Sequence, residues 1–465
     1  ITTVQQAMSL FFQPDIRRRC VPSPGRPATD IANLIAARGT IYMLGREDNR
    51  DQYFEPTPYG MAYIQRAAFT MGANDNDLNE TNRAKTVSVE AFWMDDTEIT
   101  NNEYRQFVYW VRDSIARKLL GETMPEYLIT VDENEVPLDV PVINWYEKIN
   151  WRDPDVQRAL EDLYVPENER LAFFKEIDSR KLIYDYYWVD YSQAARRSNS
   201  YNTETGKYEG FVTTNEGELI PIENRSSFMM HESVPVYPDT LCWIRDFTYS
   251  YNEPLTIKYF SHFAFDDYPV VGVSWKQANA FCNWRTNLKI LTNKRAKETP
   301  AHDFRLPTET EWEMAARGGL DNTIYPWGSY YTRSDNGCFI ANFKPLRGNY
   351  VSDSPTTATT MKAGEFDPNP FGLYDMAGNV AEWTSTAFFE AGYETVNDLN
   401  PEIHYDAKPN DPEVLKRKVI RGGSWKDMAY FIRTSTRSFE YQDTTKSYVG
   451  FRCVRSSFRD ELKRR

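Results

Sequence analysis

Cysteine and histidine are scarce in this chain of 465 residues, which carries five of the first and four of the second. Cys20, Cys242, Cys282, Cys338 and Cys453 are odd in number and widely spaced, which excludes the disulfide framework of a small secreted domain. His231, His262, His302 and His404 contain no His-x-x-x-His pair, which disfavours a histidine–iron centre. No apolar run approaches the ~18 residues needed for a membrane-spanning helix. Positive charge is short as well: 54 Lys and Arg against 67 Asp and Glu leave a net charge of −13. That balance excludes a nucleic-acid binder, which needs a basic field to meet phosphates, and a polybasic membrane anchor. A phosphate-binding Gly-Lys-Ser/Thr loop and a Gly-x-Ser-x-Gly elbow are also missing. Beginning on Ile1 rather than Met, the chain reads as a processed form, and Cys20 after Arg17-Arg18-Arg19 does not suit a lipoprotein cleavage site.

What is abundant is aromatic surface. Hydrophobic residues make up 41% of the chain and aromatic residues 15%, with 12 Trp and 30 Tyr, enough for a sizeable core. Residues 1–54 are interrupted by Pro22, Pro24, Gly25 and Pro27 and read as an irregular strap or linker. The apolar runs on either side of Gln65-Arg66 predict a pair of strands, and Val87–Met94 predicts another. The acidic loop Asn74-Asp75-Asn76-Asp77 lacks the spacing of a calcium loop and reads as solvated. Three capping boxes announce helices: Thr100 with Glu103, Ser274 with Gln277, and Thr308 with Glu311. The first leads into Tyr104, Phe107, Val108, Val111 and Ile115 at helical spacing, and Gly318 is placed to end the third. Paired carboxylates such as Asp95-Asp96 and Glu309/Glu311/Glu313 read as solvated faces and caps. Cys282 and Cys453 read as small buried hydrophobes.

The densest stretch is Asn369 to Trp383, Asn-Pro-Phe-Gly-Leu-Tyr-Asp-Met-Ala-Gly-Asn-Val-Ala-Glu-Trp. It combines a turn signal, glycines, large aromatics and acidic groups, so it predicts irregular backbone that is nevertheless buried. Asn379 and Glu382 are its candidates for hydrogen bonding to that backbone, or for ligating a hard cation. Upstream lie Arg305-Leu306-Pro307-Thr308-Glu309-Thr310-Glu311-Trp312-Glu313 and Tyr325-Pro326-Trp327-Gly328; downstream lie Arg421-Gly422-Gly423-Ser424-Trp425 and Gly450-Phe451-Arg452.

This ordered set resembles the formylglycine-generating-enzyme (sulfatase-modifying factor) domain. The resemblance implies an α+β fold, a variant of the C-type lectin fold with much irregular backbone. It implies a structural Ca2+ at Asn379 and Glu382, the one cofactor expected. Enzymes of that family use a pair of cysteines shortly after Arg-Gly-Gly-Ser to bind copper and oxidise a substrate cysteine. Here Asp427 and Ile432 stand where the thiols are expected, and no Cys occurs between Cys338 and Cys453. A carboxylate and an isoleucine do not replace soft ligands for Cu(I), so no catalytic residue is assigned.

A closer resemblance rests on Phe92-Trp93-Met94-Asp95-Asp96-Thr97-Glu98-Ile99-Thr100-Asn101-Asn102-Glu103-Tyr104-Arg105-Gln106-Phe107, on Pro58-Tyr59-Gly60-Met61, and on a long insertion at 121–262. With these the chain is similar to the PorK/GldK gliding-motility lipoproteins of the type IX secretion system. The domain organisation expected is a lead at 1–54, a formylglycine-generating-enzyme-like domain at 55–456 interrupted by 121–262, and a basic tail at 457–465. The resemblance implies a non-catalytic subunit of a large periplasmic ring, lipid-anchored to the inner leaflet of the outer membrane. Its partners would be PorN/GldN, the outer-membrane protein PorG and further copies of itself. Two other readings stay open at this point: an enzyme using the cleft with other residues, and a module binding saccharide such as peptidoglycan.

Within the insertion, Leu182 to Val189 is a strong strand candidate, and Lys207–Val212 with Leu219–Ile222 reads as a hairpin around Asn215-Glu216-Gly217. Tyr184, Tyr186, Tyr187, Trp188 and Tyr191 are residue types that anchor interfaces, and are the candidates for contact with neighbours. Alternation along a strand turns only half of them to any one face.

Overall fold

Two four-stranded sheets carry the centre of the fold. The computed structural model of the chain describes residues 55–73, 83–131, 136–171, 174–246, 253–296, 298, 301–345 and 359–457. The lead at 1–54, the Asn74–Asp77 loop and the tail from residue 458 lie outside the described residues. From Pro56 onward the chain forms one unit.

The first sheet runs in the order Met61–Ile64, Phe92–Asp95, Val454–Ser456, Phe304–Arg305, with every pair antiparallel. The last described strand thus sits between a strand from the start of the domain and one from its middle. The second sheet runs Ser438–Tyr441, Arg417–Arg421, Ala381–Ala387, Val449–Gly450; its last pair is parallel and the others antiparallel. All four residues of Phe92–Asp95 are buried, because that strand is covered on both faces.

The three capping boxes form as their spacing predicts. Thr100 Oγ1 accepts from the Glu103 N–H at 3.3 Å and the Thr100 N–H donates to Glu103 Oε2 at 2.8 Å. The helix Asn101–Thr123 follows, burying Tyr104, Phe107, Val108 and Val111, while Ile115 is half-buried. Ser274 and Gln277 open the helix Trp275–Ala296 in the same way. Thr308 and Glu311 open Glu309–Arg317, and Gly318 ends it in the left-handed region at φ +60°. Every residue of that short helix is buried, its acidic ones included.

Three strand assignments differ from the sequence reading. Met61–Ile64 and Ala67–Met71 are both strands, but they pair with Phe92–Asp95 and Lys85–Val89 respectively, not with each other. Val87–Met94 is accordingly two strands broken at Glu90-Ala91. The hairpin at Asn215–Gly217 forms between Phe211–Thr213 and Leu219–Pro221, whereas Lys207–Tyr208 pairs backwards with Tyr201–Asn202. In each case local β-propensity is met, but the partner differs: Met61–Ile64 takes a strand distant in sequence, whereas Lys207–Tyr208 takes the one just before it.

Inside the insertion, Ile183–Val189 pairs along its whole length with Met229–Pro235. This ribbon packs on the two long helices and shares their core, which includes Tyr184, Tyr186, Val234, Phe107 and Phe281. Tyr104 stacks on Phe281 at 5.6 Å and donates its hydroxyl to the Val236 carbonyl at 3.0 Å, so the helices and the insertion are locked together.

Candidate functional site

The Asn369–Trp383 stretch holds its irregular backbone with its own side chains. Asn369 donates through Nδ2 to the carbonyls of Ala315 (2.7 Å) and Ala316 (3.2 Å), capping the end of the Glu309–Arg317 helix. Its Oδ1 accepts from the N–H groups of Phe371 (3.0 Å) and Leu373 (3.1 Å). One amide thus serves four backbone groups that burial would otherwise orphan.

Asn379 sits in the left-handed region at φ +58°, which Asn tolerates better than most residues. Its Oδ1 accepts from the Met361 N–H at 2.8 Å and from Asn342 Nδ2 at 3.3 Å, and its Nδ2 donates to Glu98 Oε2 at 2.6 Å. Glu382 is fully buried. Arg452 grips its carboxylate with two bonds, Nε to Oε2 at 2.7 Å and Nη2 to Oε1 at 2.6 Å, and Trp312 Nε1–H adds a third at 2.8 Å. Arg452 also donates to the carbonyls of Asp95 and Tyr374, so it ties the first sheet to this stretch. The oxygens expected to ligate Ca2+ accept hydrogen bonds from these N–H groups. Among the described residues, no group of three or more His, Cys, Asp or Glu is arranged to hold a metal ion.

Around this pair lies more acid than base. Burial, followed by the nearby charges of Asp375 and Glu382, pushes the Glu98 carboxyl well above the usual carboxylate range. Burial likewise raises Asp375 to about 6, against the Arg452 charge and the Gly364 N–H that it accepts at 2.6 Å. A second network lies alongside: Arg421, fully buried, reaches Glu313 at 2.6 Å and Glu309 at 3.0 Å. Arg317 completes it at 2.7 Å from Glu313. Burial alone would raise Glu313, but Arg421 and Arg317 overcome it and hold that carboxyl below its ordinary value. The glutamates read from sequence as solvated caps are thus buried: Glu309, Glu311 and Glu313 all lie inside, each matched to an arginine. Asp95 is buried too, held by Arg285 through two bonds at 2.7 and 2.9 Å.

The Arg421–Ile432 loop is where the family's thiols are expected. Asp427 Oδ2 accepts from the Ser424 N–H (3.0 Å) and hydroxyl (2.6 Å), closing a tight turn. Burial raises its carboxyl above the ordinary value, and the two Ser424 bonds oppose that rise. Ile432 is fully buried among Tyr325, Phe339, Ala341, Phe343 and Ala377. Gly423 lies at φ +63°, and a Cβ there would meet the Phe431 carbonyl oxygen at 2.7 Å. The loop is fixed by structural contacts, with a hydrocarbon at one of the positions where a thiol was expected and a turn-closing carboxylate at the other. Cys282 and Cys453 are both buried, with sulfurs 3.5 Å apart, and neither belongs to this loop.

The interface candidates divide by strand alternation. Tyr184 and Tyr186 are buried and Trp188 half-buried, all facing the helices and stacked on one another at 5.7 and 5.3 Å. Tyr187 and Tyr191 are exposed at 59% and 76%. Tyr184 and Tyr186 therefore build the insertion's core, and only Tyr187 and Tyr191 present an open aromatic face. Glu98, Asp375 and Arg452 were not picked out as site residues from the sequence; the signal available was the density of charged residues inside otherwise apolar motifs.

The profile of the sulfatase-modifying factor enzyme 1-like domain matches residues 49–163 and 198–457. The mouse protein named inactive C-alpha-formylglycine-generating enzyme 2 is 33% identical over 197 residues, which is 41% of this chain and 50% of that protein. Formylglycine-generating enzyme of Bos taurus is 33% identical over 200 residues, covering 40% and 44%. That of Thermomonospora curvata is 34% identical over 195 residues, covering 40% and 55%. The chain spans about half the length of these curated relatives. Among solved structures, PvdO from Pseudomonas aeruginosa aligns with 85% of this chain and 94% of its own at 15% identity and a TM-score of 0.40. CarF aligns with 86% and 100% at 17% identity and a TM-score of 0.38.

Proposed function

This chain belongs to the sulfatase-modifying factor enzyme 1-like domain family, and from that membership we propose that it keeps the family's fold without the copper chemistry and serves as a building block. The observation that carries this reading is the loop at Asp427 and Ile432. One position closes a turn on Ser424 and the other fills an apolar pocket, so neither offers a thiolate to Cu(I). The assembly we propose is the periplasmic ring of the type IX secretion system, built with PorN/GldN beneath the outer membrane, near PorG, and held there by an N-terminal lipid. The support for this is the resemblance to the PorK/GldK lipoproteins. A ring needs two different complementary patches on each subunit. The outer face of the insertion ribbon supplies one candidate: Ile183, Tyr187 and Val189 on one strand and Met229 on the next are all more than a third exposed. Aromatic and aliphatic side chains together on an open sheet face suit an interface core.

The test has two arms. Loading with Cu(I) followed by metal analysis, and mass spectrometry of a cysteine-containing peptide, should show neither stoichiometric copper nor formylglycine. Electron microscopy of the full chain co-expressed with PorN should show rings, and these should be lost in Tyr187→Ser/Tyr191→Ser. Oxidised peptide, or rings indifferent to both substitutions, would overturn the corresponding half of the proposal.

A further inference from the structure

Between the helix Trp275–Ala296, the C-terminal half of the Ile183–Val189 strand and the 400–409 segment runs a groove of about 1090 Å³. No residue of the Arg421–Ile432 loop lines it. Its size lies just above the usual range for small-molecule sites, about 300–1,000 Å³, which suits an occupant of several linked units. The wall carrying Tyr186 and Trp188 belongs to residues 164–197, the stretch that the family profile leaves unmatched. The groove is thus completed by what this chain adds to the family fold.

Its chemistry is specific. Trp188 and Trp275 line it half-buried. Trp188 is braced by stacking on Tyr186 at 5.3 Å; Trp275 is pinned by its Nε1–H to the Thr384 carbonyl at 2.9 Å and by the Lys418 ammonium 3.8 Å from its ring. Asn279, Asn283 and Asn287 line the groove from one face of the helix, a turn apart. Asn283 Oδ1 accepts from the Tyr184 hydroxyl at 3.0 Å and from Asn287 Nδ2 at 2.9 Å. Those bonds fix both amides, leaving the Asn283 N–H groups as donors and the Asn287 oxygen as acceptor for whatever enters. Carboxylates outnumber cations on the lining. Lys276 pairs with Glu232 at 3.0 Å and Arg305 with Glu311 at 2.6 Å, so the site does not invite a phosphate or a free carboxylate.

We propose that this groove binds a neutral oligosaccharide. A pyranose ring offers an apolar C–H face and a rim of hydroxyls that both give and accept hydrogen bonds. Rigid aromatic faces beside oriented amides match those two features, and a net acidic lining excludes anionic competitors. The inference does not rest on the assembly reading: rings without sugar binding would sink only this proposal.

The experiment is saturation-transfer NMR on the full chain with four neutral linear tetrasaccharides: cellotetraose, chitotetraose, mannotetraose and maltotetraose. At least one should receive transfer at its ring C–H protons. Asn283→Ala and Trp188→Ala should each weaken its binding tenfold or more. Asn287→Asp, on the exposed end of the amide row, removes the Nδ2–H that orients Asn283 without removing core surface and should weaken binding as well. Tyr330→Ser, an exposed residue outside the lining, should leave affinity unchanged. No transfer to any of the four sugars would overturn the proposal. So would affinity indifferent to the Asn283, Asn287 and Trp188 substitutions, or preference for a random hexapeptide mixture over every sugar.

Discussion

Replacing Asp375 by Asn isolates the electrostatic cost of the buried acidic cluster. Asp375 sits at φ +55°, a conformation Asn also tolerates, and Asn keeps an oxygen to accept the Gly364 N–H. The shape and the backbone bond are therefore preserved while the charge is removed. In the folded protein burial raises the Asp375 carboxyl to about 6, against 3.8 as its ordinary value. Below pH 3.8 the group is neutral folded and unfolded, and the wild-type chain carries no penalty. Between 3.8 and 6 the unfolded chain ionises first, so wild-type stability falls as pH rises. Above pH 6 the penalty is complete: the gap between the two values, at ~1.4 kcal/mol per pH unit, amounts to about 3 kcal/mol. Over a unit of this size, with about 2 cal/mol/K of unfolding entropy per residue, that corresponds to a rise in Tm of roughly 3–4 °C for Asp375→Asn at pH 7. The variant and wild type should converge as pH falls to 4. Thermal melts of both proteins at half-unit steps from pH 4 to 8 measure this. A variant that is less stable than wild type at pH 7, or a difference that does not change with pH, would refute the reasoning.

Three further outcomes follow from the same contacts. Arg452→Met strands Glu382 fully buried without its ion partner and should cost about 3–5 kcal/mol, while Arg452→Met with Glu382→Gln should recover part of that loss in a double-mutant cycle read by urea unfolding. Gly423→Ala places a Cβ against the Phe431 carbonyl at a positive φ and should cost more than the ~1–2 kcal/mol of left-handed strain alone, whereas Gly372→Ala, at φ +82° with nothing within 4 Å, should cost only the strain. Tyr186→Ala empties a core position and should cost about 3–5 kcal/mol, but Tyr187→Ala one residue on should change the melting midpoint little, since that ring faces solvent beside His231.

The three helices read from sequence were legible because each is announced locally, whereas short ones such as Pro154–Ala159 and Cys242–Arg245 were not read. Thr100, Ser274 and Thr308 cap the helices that their spacing to Glu103, Gln277 and Glu311 specifies, and the apolar repeat after each fixes the buried face. The family was legible for a related reason: the Asn369–Trp383 stretch must satisfy irregular buried backbone from within, and few sequences do that. The existence of strands was legible too, as at Ile183–Val189, but their partners were not. Met61–Ile64 pairs with Phe92–Asp95 rather than with its neighbour in sequence, a choice made by the packing of sheets and helices on both sides. The same limit applied to charge. In sequence Glu309, Glu311 and Glu313 look like the solvated first turn of a helix. Only the fold brings Arg437, Arg305, Arg421 and Arg317 to them, and a buried carboxylate is tenable only where such a partner arrives. Alternation could say that half of Tyr184, Tyr186, Tyr187, Trp188 and Tyr191 face inward; which half depended on the side from which the long helices approach. What this sequence determined by itself was every feature encoded within one turn of helix or one stretch of self-satisfied loop. Pairing, burial of charge and the walls of the groove were left to tertiary structure, because they join residues that only the folded chain places side by side.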